Sequence, residues 1–382
     1  MRTLTAYTYE IDNINNAVNE VLQQLDLKKN LGKNSVGFIS CYSEFIESGV
    51  VKELCAALPF EVIGCTTMAN GSCGENSFIM LTITVLTGDD VYFGAALSKS
   101  VNEKYEERLL EAFNVGKEKI KGEPKFILVF APLLTAIDGE QVFDAIDKAS
   151  KGIPIFGTVS CDHTEDYHTS QVIYNGEGFA SQVSLVVIGG NINPRFFVMA
   201  TDESKALKQK AIVTESNGNL LIGVNDMSFL DYLKTIGLSE GSTEGINGMP
   251  LIIDYNDGTP PVTRSAMWIN SEGYAVCGGK VPIGSTLAIG VLDNEDVVKG
   301  AKDLIEKAKN CMNNGTILMF TCISRLLVLG FDSEAELEIV KTGLKDTQYL
   351  IAYSGGEMCP VTNESGKQTN RFHNSTLVAV VF

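Results

Sequence analysis

The residues best suited to chemistry lie near the carboxyl end of the chain. Cys322 and Arg325 follow one apolar run, and the stretch YSGGEMCP places Gly355, Gly356 and Glu357 after the next. Arg325 could hold a carboxylate through two hydrogen bonds, and Glu357 could accept hydrogen bonds from an ammonium or a guanidinium. Glycines with positive φ let a ligand approach the backbone, whose N–H groups could bind an anion. The pattern predicts a site for a zwitterion such as an amino acid, unless Arg325 and Glu357 only pair with each other or cap a turn.

A cysteine enzyme is the alternative function. Cys322, His373 and Glu357 could act as thiolate, base and orienting group, which is the arrangement that a nucleophilic cysteine needs. Cys322 ends an apolar strand, however, and free cysteine is among the most buried residue types. The sequence therefore favours binding over catalysis, with His373 a polar wall residue or a core histidine.

The stretch CDHTEDYH, residues 161–168, holds two of the three histidines among carboxylates. Imidazole and carboxylate are ligands that zinc or manganese accepts. The spacing does not put both histidines on one helix face, and no further ligands recur at metal-site spacing. A solvated loop or the rim of a pocket is the favoured interpretation, and no metal or other cofactor is predicted.

Strands and amphipathic helices alternate along the chain, and their order repeats. The elements of a β-α-β-α-β-β unit begin at Thr3, at Val91 and again at Ser285. In the last unit an apolar stripe joins Leu304, Ile305, Ala308 and Met312, which places one helix face against a sheet. The sequence predicts an α/β (mixed α+β) fold whose repeated units form mixed sheets flanked by helices.

Residues 191–284 do not follow the repeat and are β-rich. Asn217-Gly218 between two apolar strands predicts a hairpin, because both turn positions favour positive φ. A helix is predicted in SFLDYLKTIG, and LSEGSTEGINGMP, residues 238–250, is a candidate hinge. Two lobes are expected, residues 1–200 with two units and residues 201–382 with the β-rich insert and the third unit.

Composition narrows the possible partners. The net charge of −17 disfavours phosphate backbones and anionic membranes, so neither nucleic acid nor membrane insertion is predicted. Nine cysteines without paired spacing fit reduced thiols in a cytoplasm. Small molecules and other proteins remain as partners.

Several motifs together resemble one known family. CISR, YSGGE and RFHNST, in that order near the carboxyl end, resemble the carboxy-terminal half of the FIST domain family. EVIGCTT, IPIFGTVS, SQVIYNG and VTESNGNLL are similar to its amino-terminal half and the junction. The resemblance covers almost the whole chain, with residues 1–200 FIST N-like and residues 201–382 FIST C-like.

The resemblance implies a sensory domain of signalling proteins that binds a small ligand, with amino acids as the proposed ligands. Its motif positions here are Cys322, Arg325, Ser354, Gly356, Glu357, His373 and Asn374, to which the glycine argument adds Gly355. Many relatives are joined to an output module, and no residues remain here for one. Any signal is therefore expected to pass to a separate protein.

Overall fold

The computed structural model describes residues 1–134, 137–164, 167–239, 248–311 and 315–382. Within these ranges the chain forms three mixed sheets, an antiparallel barrel and helices that cover the outer faces of the sheets. The predicted mixed α+β fold is confirmed. Among the described helices, none combines the length and the apolar character that a membrane crossing requires.

The three mixed sheets share one arrangement. The amino-terminal sheet contains, in spatial order, β1 (Arg2–Thr8), β6 (Leu81–Gly88), β2 (Asn34–Cys41), β3 (Val62–Thr66), β10 (Val172–Tyr174) and β11 (Glu177–Phe179). The middle sheet contains β24 (Gln368–His373), β23 (Glu357–Thr362), β9 (Ile155–Val159), β8 (Pro124–Ala131), β12 (Ser184–Gly190) and β7 (Val91–Leu97). The carboxy-terminal sheet contains β13 (Arg195–Met199), β25 (Leu377–Val381), β21 (Ile317–Cys322), β22 (Tyr349–Ser354), β4 (Asn70–Ser72) and β5 (Glu75–Ser77). In each sheet the two strands joined by a helical crossover are parallel, namely β2 with β3, β8 with β9 and β21 with β22.

Each sheet is completed by a hairpin from another part of the chain. Hairpin β4–β5 leaves the amino-terminal unit for the carboxy-terminal sheet, β10–β11 joins the amino-terminal sheet, and β23–β24 joins the middle sheet. The pattern of apolar residues along the chain does not predict these hairpins. Because each sheet needs a hairpin from elsewhere, the three sheets are interlocked.

The barrel interrupts the third unit. Its ring contains β14 (Lys210–Asn217), β20 (Thr286–Ile289), β17 (Met249–Asp254), β18 (Val262–Ile269), β19 (Ala275–Cys277) and β15 (Leu220–Val224), with β16 (Met227–Ser228) attached to β15. Pairing of β14 with β15 closes the ring. The prediction that the third unit begins at Ser285 is wrong, since β20 belongs to the barrel and β13 lies beside β25 instead. The division into lobes after residue 200 stays a prediction.

The hairpin predicted at Asn217-Gly218 is confirmed, although the turn lies one residue later. Asn217 pairs with Leu220, so Gly218 and Asn219 form the turn, and of these only Gly218 has a positive φ, 59°. The candidate hinge at residues 238–250 falls mostly outside the described residues.

Helices cover the outer sheet faces. Their bounds are α1 Ile14–Leu25, α2 Leu27–Asn30, α3 Glu44–Glu47, α4 Val50–Ala56, α5 Tyr105–Lys119, α6 Gly139–Ser150, α7 Phe229–Thr235, α8 Asn294–Lys309, α9 Ile323–Leu329 and α10 Ala335–Gly343, with short 3-10 turns at Glu203–Lys205 and Gly330–Asp332. Helix α6 begins with a capping box, in which Asp138 Oδ1 accepts from the Gln141 N–H at 2.8 Å and Gln141 Oε1 accepts from the Asp138 N–H at 3.0 Å. The predicted stripe on α8 is buried at Leu304, Ile305 and Ala308, while Met312 lies outside the described residues.

The inner faces of the three sheets share one core. Along β8, Phe126, Leu128 and Phe130 belong to this central core, whereas Ile127 and Val129 pack under the helices of the middle unit. That alternation follows from the two-residue period of a strand that is buried on both faces. The rings of Phe130 and Phe156 lie 5.7 and 5.2 Å from that of Phe320, which joins the middle and carboxy-terminal sheets.

Candidate functional site

The chain crosses from sheet to sheet where β3 leads to β4, where β9 leads to β10 and where β22 leads to β23, and these three crossings meet. Met68 N–H donates to the Tyr353 carbonyl at 3.1 Å, and Cys161 N–H donates to the Thr66 carbonyl at 3.2 Å. Gly355 N–H donates to the Val159 carbonyl at 2.8 Å. We call this region, together with the polar side chains that it buries, the crossing site.

The two glycines of YSGGEMCP make one of these crossings possible. Ser354 ends a strand of the carboxy-terminal sheet and Glu357 begins a strand of the middle sheet, so only Gly355 and Gly356 separate the two sheets. Gly356 has a φ of 150°, and a Cβ there would lie 2.8 Å from Cζ of Phe372. The predicted anion-binding use of the glycine N–H groups is not supported at Gly355, because its N–H already donates to Val159.

Buried hydroxyl groups line the crossing site. Thr158 Oγ1 donates to the Gly356 carbonyl at 2.9 Å and also contacts Ser354 Oγ. Ser40 Oγ and Thr67 Oγ1 are 2.8 Å apart at the end of the amino-terminal sheet. These groups give a polar interior to a region whose surroundings are apolar.

The carboxyl group of Glu357 is fully buried in the crossing site. Its residue exposure is 0%, and Oε2 accepts a hydrogen bond from Thr376 Oγ1 at 2.8 Å. Oε1 has no hydrogen-bond partner in the part of the chain that the structure describes. Burial raises the pKa of Glu357 well above its usual range, against the hydrogen bond from Thr376 and the charge of Arg325, which lower it. Burial therefore favours the protonated, uncharged form of this carboxyl group.

Cys322 lies beside Glu357. Its thiol interacts with the Glu357 carboxyl, with the Ser324 hydroxyl and with the N–H groups of Ser324 and Ser375. Burial, with a further contribution from Glu357, raises the pKa of Cys322 to about 12. The thiol is thus protonated and unactivated at neutral pH.

His373 faces Glu357 across the β23–β24 pair, since the two residues are directly opposite in register. Its Nε2 lies 3.0 Å from the Cys359 carbonyl oxygen, and its Nδ1 has no partner among the described groups. Burial lowers the pKa of His373 to about 3, so the ring is neutral. Neither ring nitrogen hydrogen-bonds to Cys322, so the structure does not form the predicted cysteine–histidine pair.

Asn374 and Ser375 connect the crossing site to the barrel. Asn374 Nδ2 donates to the Gly278 carbonyl at 3.4 Å, while its buried Oδ1 has no partner in the described residues. Ser375 Oγ lies 2.8 Å from Ser265 Oγ of β18 and 3.0 Å from Ser324 Oγ of α9. Asn374 and Ser375, which precede the strand β25, therefore hydrogen-bond directly to the barrel.

Arg325 has a different partner from the one that the sequence predicts. It does not face Glu357 across a cavity. Its Nε donates to Glu336 Oε1 at 3.1 Å, and its Nη2 contacts the same oxygen and the Val297 carbonyl at 3.2 Å. Glu336 Oε2 accepts from Thr321 Oγ1 at 2.8 Å and from Tyr353 Oη at 2.7 Å. The arginine thus joins helices α8, α9 and α10 to the carboxy-terminal sheet, and it is 1% exposed.

Two family models match this sequence. The model of the FIST N domain matches residues 35–227, and the model of the FIST C domain matches residues 227–360. The chain belongs to the FIST family. FIST domains are generally described as small-ligand-binding sensory domains in signal transduction.

No functionally curated protein matches the chain. The chain is similar to a crystal structure of cyanuric acid hydrolase from A. caulinodans, with 11% sequence identity and a TM-score of 0.37, over 100% of this chain and 98% of that one. A TM-score of this size means that the two backbones agree only loosely.

In the described residues of the stretch 161–168, hydrogen bonds hold Asp162 and His163 in place. Asp162 is fully buried and accepts from the Thr164 N–H at 2.6 Å and from Thr169 Oγ1 at 2.8 Å. His163 Nε2 lies 3.1 Å from the Phe78 carbonyl oxygen. Residues 165 and 166 lie outside the described residues, and the rest of the described chain contains no group of three or more potential ligands that could hold a metal ion.

Two residues that contact predicted site residues, Glu336 and Thr376, were not predicted from the sequence. Glu336 occupies a buried position in α10 together with Leu337 and Val340, so a carboxylate within an apolar helix stripe was the available signal. Thr376, the hydroxyl partner of Glu357, directly precedes the apolar strand β25 and carries no such signal.

Proposed function

We propose that this FIST chain senses a small polar metabolite that binds at the crossing site. The observation that carries the proposal is the Glu357 carboxyl, which is fully buried and has one oxygen without a partner among the described groups. A buried polar atom without a hydrogen bond destabilises the folded state by about 1–3 kcal/mol, and a ligand that supplies the bond removes that penalty.

The proposed site residues are those of the sequence prediction, with one role changed. Glu357, Asn374 and the Ser354 hydroxyl supply polar contacts, Gly355 and Gly356 let the ligand approach, and Cys322 and His373 form the wall. Arg325 is proposed as a positioning residue that holds α9, and with it Cys322, through Glu336.

An amino acid remains the proposed ligand, with its ammonium group at Glu357. Because Arg325 is already bound to Glu336, the ligand carboxylate needs other donors. The N–H groups of Ser324 and Ser375, which surround the Cys322 thiol, are the nearest candidates. Ser324 and Gly355 are partly exposed and would form the entrance.

Contacts around the site connect it to the barrel and to all three mixed sheets, so ligand binding could alter surfaces outside the site. Ser375 hydrogen-bonds to Ser265 of the barrel, and the crossings belong to all three sheets. A ligand that prefers one arrangement of these elements shifts the population toward it by no more than its differential affinity. A separate signalling protein is the proposed recipient, and we further propose that the three sheet units are internal repeats, which their shared strand order supports.

A thermal-shift screen against amino acids and related carboxylates tests the proposal, because a ligand that binds only the folded protein raises Tm. We expect at least one compound to raise Tm in the native chain and to lose this effect in Glu357→Gln and Asn374→Ala. Glu111→Gln, which removes an exposed carboxylate on α5, should keep the full response. A response that persists unchanged in both site variants would refute this location for the ligand.

The cysteine enzyme is the weaker candidate. Its nucleophile would be a protonated thiol with no hydrogen bond from His373. Turnover of an ester or amide that is abolished in Cys322→Ala, with ligand-induced stabilisation retained, would reverse this order.

A further inference from the structure

We propose that an amine binds at the crossing site by displacing the proton of Glu357, so that ligand binding releases one proton to solvent. This inference rests on the proposed function and adds to it both a ligand class and a regulation by pH. The group recognised is a protonated amine, and the carboxylate of the ligand is not required for the exchange.

Within the described part of the chain, Glu357 forms no ion pair, although the charge of Arg325 acts on it from a distance. Arg325 is the described cation whose charge lowers the pKa of Glu357, and its Nε and Nη2 are bonded to Glu336 and to the Val297 carbonyl. Glu336 in turn accepts from Thr321 and Tyr353, so both of its carboxylate oxygens have partners. Among the described residues the ion pair of Arg325 is with Glu336 and not with Glu357.

The other titratable groups around Glu357 carry no positive charge near pH 7. Cys322 and Cys161 are buried thiols whose pKa values burial raises, and His373, on the facing strand, is a neutral ring. The remaining contacts are with Thr376, whose hydroxyl lies 2.8 Å from the carboxyl and whose N–H also interacts with it. A carboxyl group in such surroundings keeps its proton, because an isolated buried carboxylate is expensive.

An entering ammonium group reverses this balance. Its N–H groups donate to the carboxylate, and its positive charge supplies the partner that the empty site lacks. The reaction is a proton exchange in which the Glu357 O–H bond breaks, the proton goes to the buffer and an ammonium–carboxylate pair forms. No electron transfer and no further reactant are involved.

The thiol of Cys322 has a defined part in this exchange. It interacts with the carboxyl of Glu357 and with the N–H groups of Ser324 and Ser375. As a weak donor it stabilises the ionised carboxylate slightly without adding charge. Cys322 is therefore a positioning residue for the proton exchange, not its source.

Three matched probes separate the ligand classes: ethylamine, which carries only the ammonium, propionate, which carries only the carboxylate, and alanine, which carries both. We expect ethylamine and alanine to raise Tm and propionate to leave it unchanged. Because one proton competes with the amine, affinity for the amine probes should rise about tenfold per pH unit between about pH 6 and about pH 8.

Calorimetry with the full chain counts the proton directly. Titration of ethylamine or alanine into the protein in two buffers of different ionisation enthalpy should give a difference that corresponds to release of about one proton per bound amine. Glu357→Gln should abolish both amine binding and proton release, and Glu111→Gln, which removes an exposed charge, should retain both.

The outcomes of these experiments separate a failure of the proton exchange from a failure of the proposed function. Amine binding without proton release, or binding of propionate with the amines excluded, overturns the proton exchange but leaves a small-ligand sensor at this site. If neither amine probe binds, the proton exchange is overturned. If no compound in the wider screen binds either, the proposed function falls with it.

Discussion

Arg264 of the barrel and Glu140 of helix α6 form a buried ion pair. Nη2 of Arg264 lies 3.0 Å from Oε1 and 3.2 Å from Oε2 of Glu140. Arg264 also donates to the carbonyl oxygens of Phe372 and Lys280, at 2.7 and 3.0 Å. Burial raises the pKa of Glu140, against the opposing charge of Arg264. The contact fastens the barrel to both the middle unit and the hairpin β23–β24 that carries Glu357.

We expect Arg264→Met to lower the free energy of unfolding by about 3–5 kcal/mol, because Glu140 would remain buried without its counter-charge. Denaturation in urea measures the effect. The double variant with Glu140→Gln should recover part of the loss, since it removes the unpaired carboxylate.

Lys99→Met is the control for this pair. Lys99 contacts Glu111 at 2.9 Å on the surface, where an ion pair stabilises by only about 0–1 kcal/mol. A loss at Arg264 no larger than the loss at Lys99 would contradict a fastening role for the buried pair.

Arg325→Met is expected to reduce stability strongly and ligand affinity only weakly. Removing Arg325 leaves Glu336 buried beside Thr321 and Tyr353, which predicts a loss of about 3–5 kcal/mol in the free energy of unfolding. Urea denaturation gives the stability, and the Tm rise caused by the best compound of the screen reports binding.

Glu336→Gln should resemble Arg325→Met. A variant of normal stability that no longer binds ligand would restore the direct role that the sequence predicts for Arg325.

The sequence predicts the alternation of strands and helices well, because each strand and each helix face carries its own periodic apolar pattern. It does not reveal which sheet a short hairpin joins. The hairpin β10–β11 turns at Asn175-Gly176, both with positive φ, and this dipeptide was an available turn signal. Its pairing with β3, far away along the chain, depends on tertiary packing that no local pattern encodes.

The candidate site shows the same limit. The motif predicts that Glu357 and Arg325 matter, and both are buried. Their charges suggested a pair, but α10 brings Glu336 to the arginine instead. Which opposite charge meets an arginine is decided by helix packing, so residue types alone left the role of Arg325 open.

Gly356→Ala is expected to destabilise the protein more than a typical substitution of a glycine with positive φ. Its φ is 150°, and the added Cβ would approach Cζ of Phe372 to 2.8 Å. Gly366→Ala is the matched control, because Gly366 has a φ of 82° with no atom within 4 Å of the added Cβ. The control isolates the backbone cost, of order 1 kcal/mol. Urea denaturation of both variants should show an additional loss at Gly356 of about 1–3 kcal/mol from overpacking. Equal losses would mean that the crossing tolerates a side chain.

Alkylation of the native protein should spare Cys322. Its thiol is 4% exposed, and its pKa is raised to about 12, so almost no thiolate is present near pH 7. Cys73 is exposed and Cys311 is partly exposed. Iodoacetamide followed by peptide mass spectrometry should therefore modify Cys73 and Cys311 first, and the remaining cysteines only in denaturant. Fast modification of Cys322 in the folded protein would indicate an activated thiol and would favour the cysteine enzyme.

The stability of the native chain should fall with rising pH relative to the Glu357→Gln variant. The folded state keeps the Glu357 proton, whereas the unfolded chain ionises near pH 4.5, so unfolding releases a proton at any pH between 4.5 and the raised folded pKa. In that window the free energy of unfolding decreases by up to about 1.4 kcal/mol per pH unit, and below it this carboxyl contributes no pH dependence. The glutamine variant lacks the ionisation, so it gains stability over the native chain as pH rises from 4.5 toward the raised folded pKa of Glu357. Urea denaturation of the two proteins across this range gives the difference directly, and the general repulsion among the remaining acidic residues largely cancels.

Glu111→Gln, which removes an exposed carboxylate, controls for the change in net charge. A difference between the native chain and Glu357→Gln that stays flat from acid to alkaline pH would show that Glu357 is already ionised in the empty protein, and the proton available for exchange with an amine would then not exist.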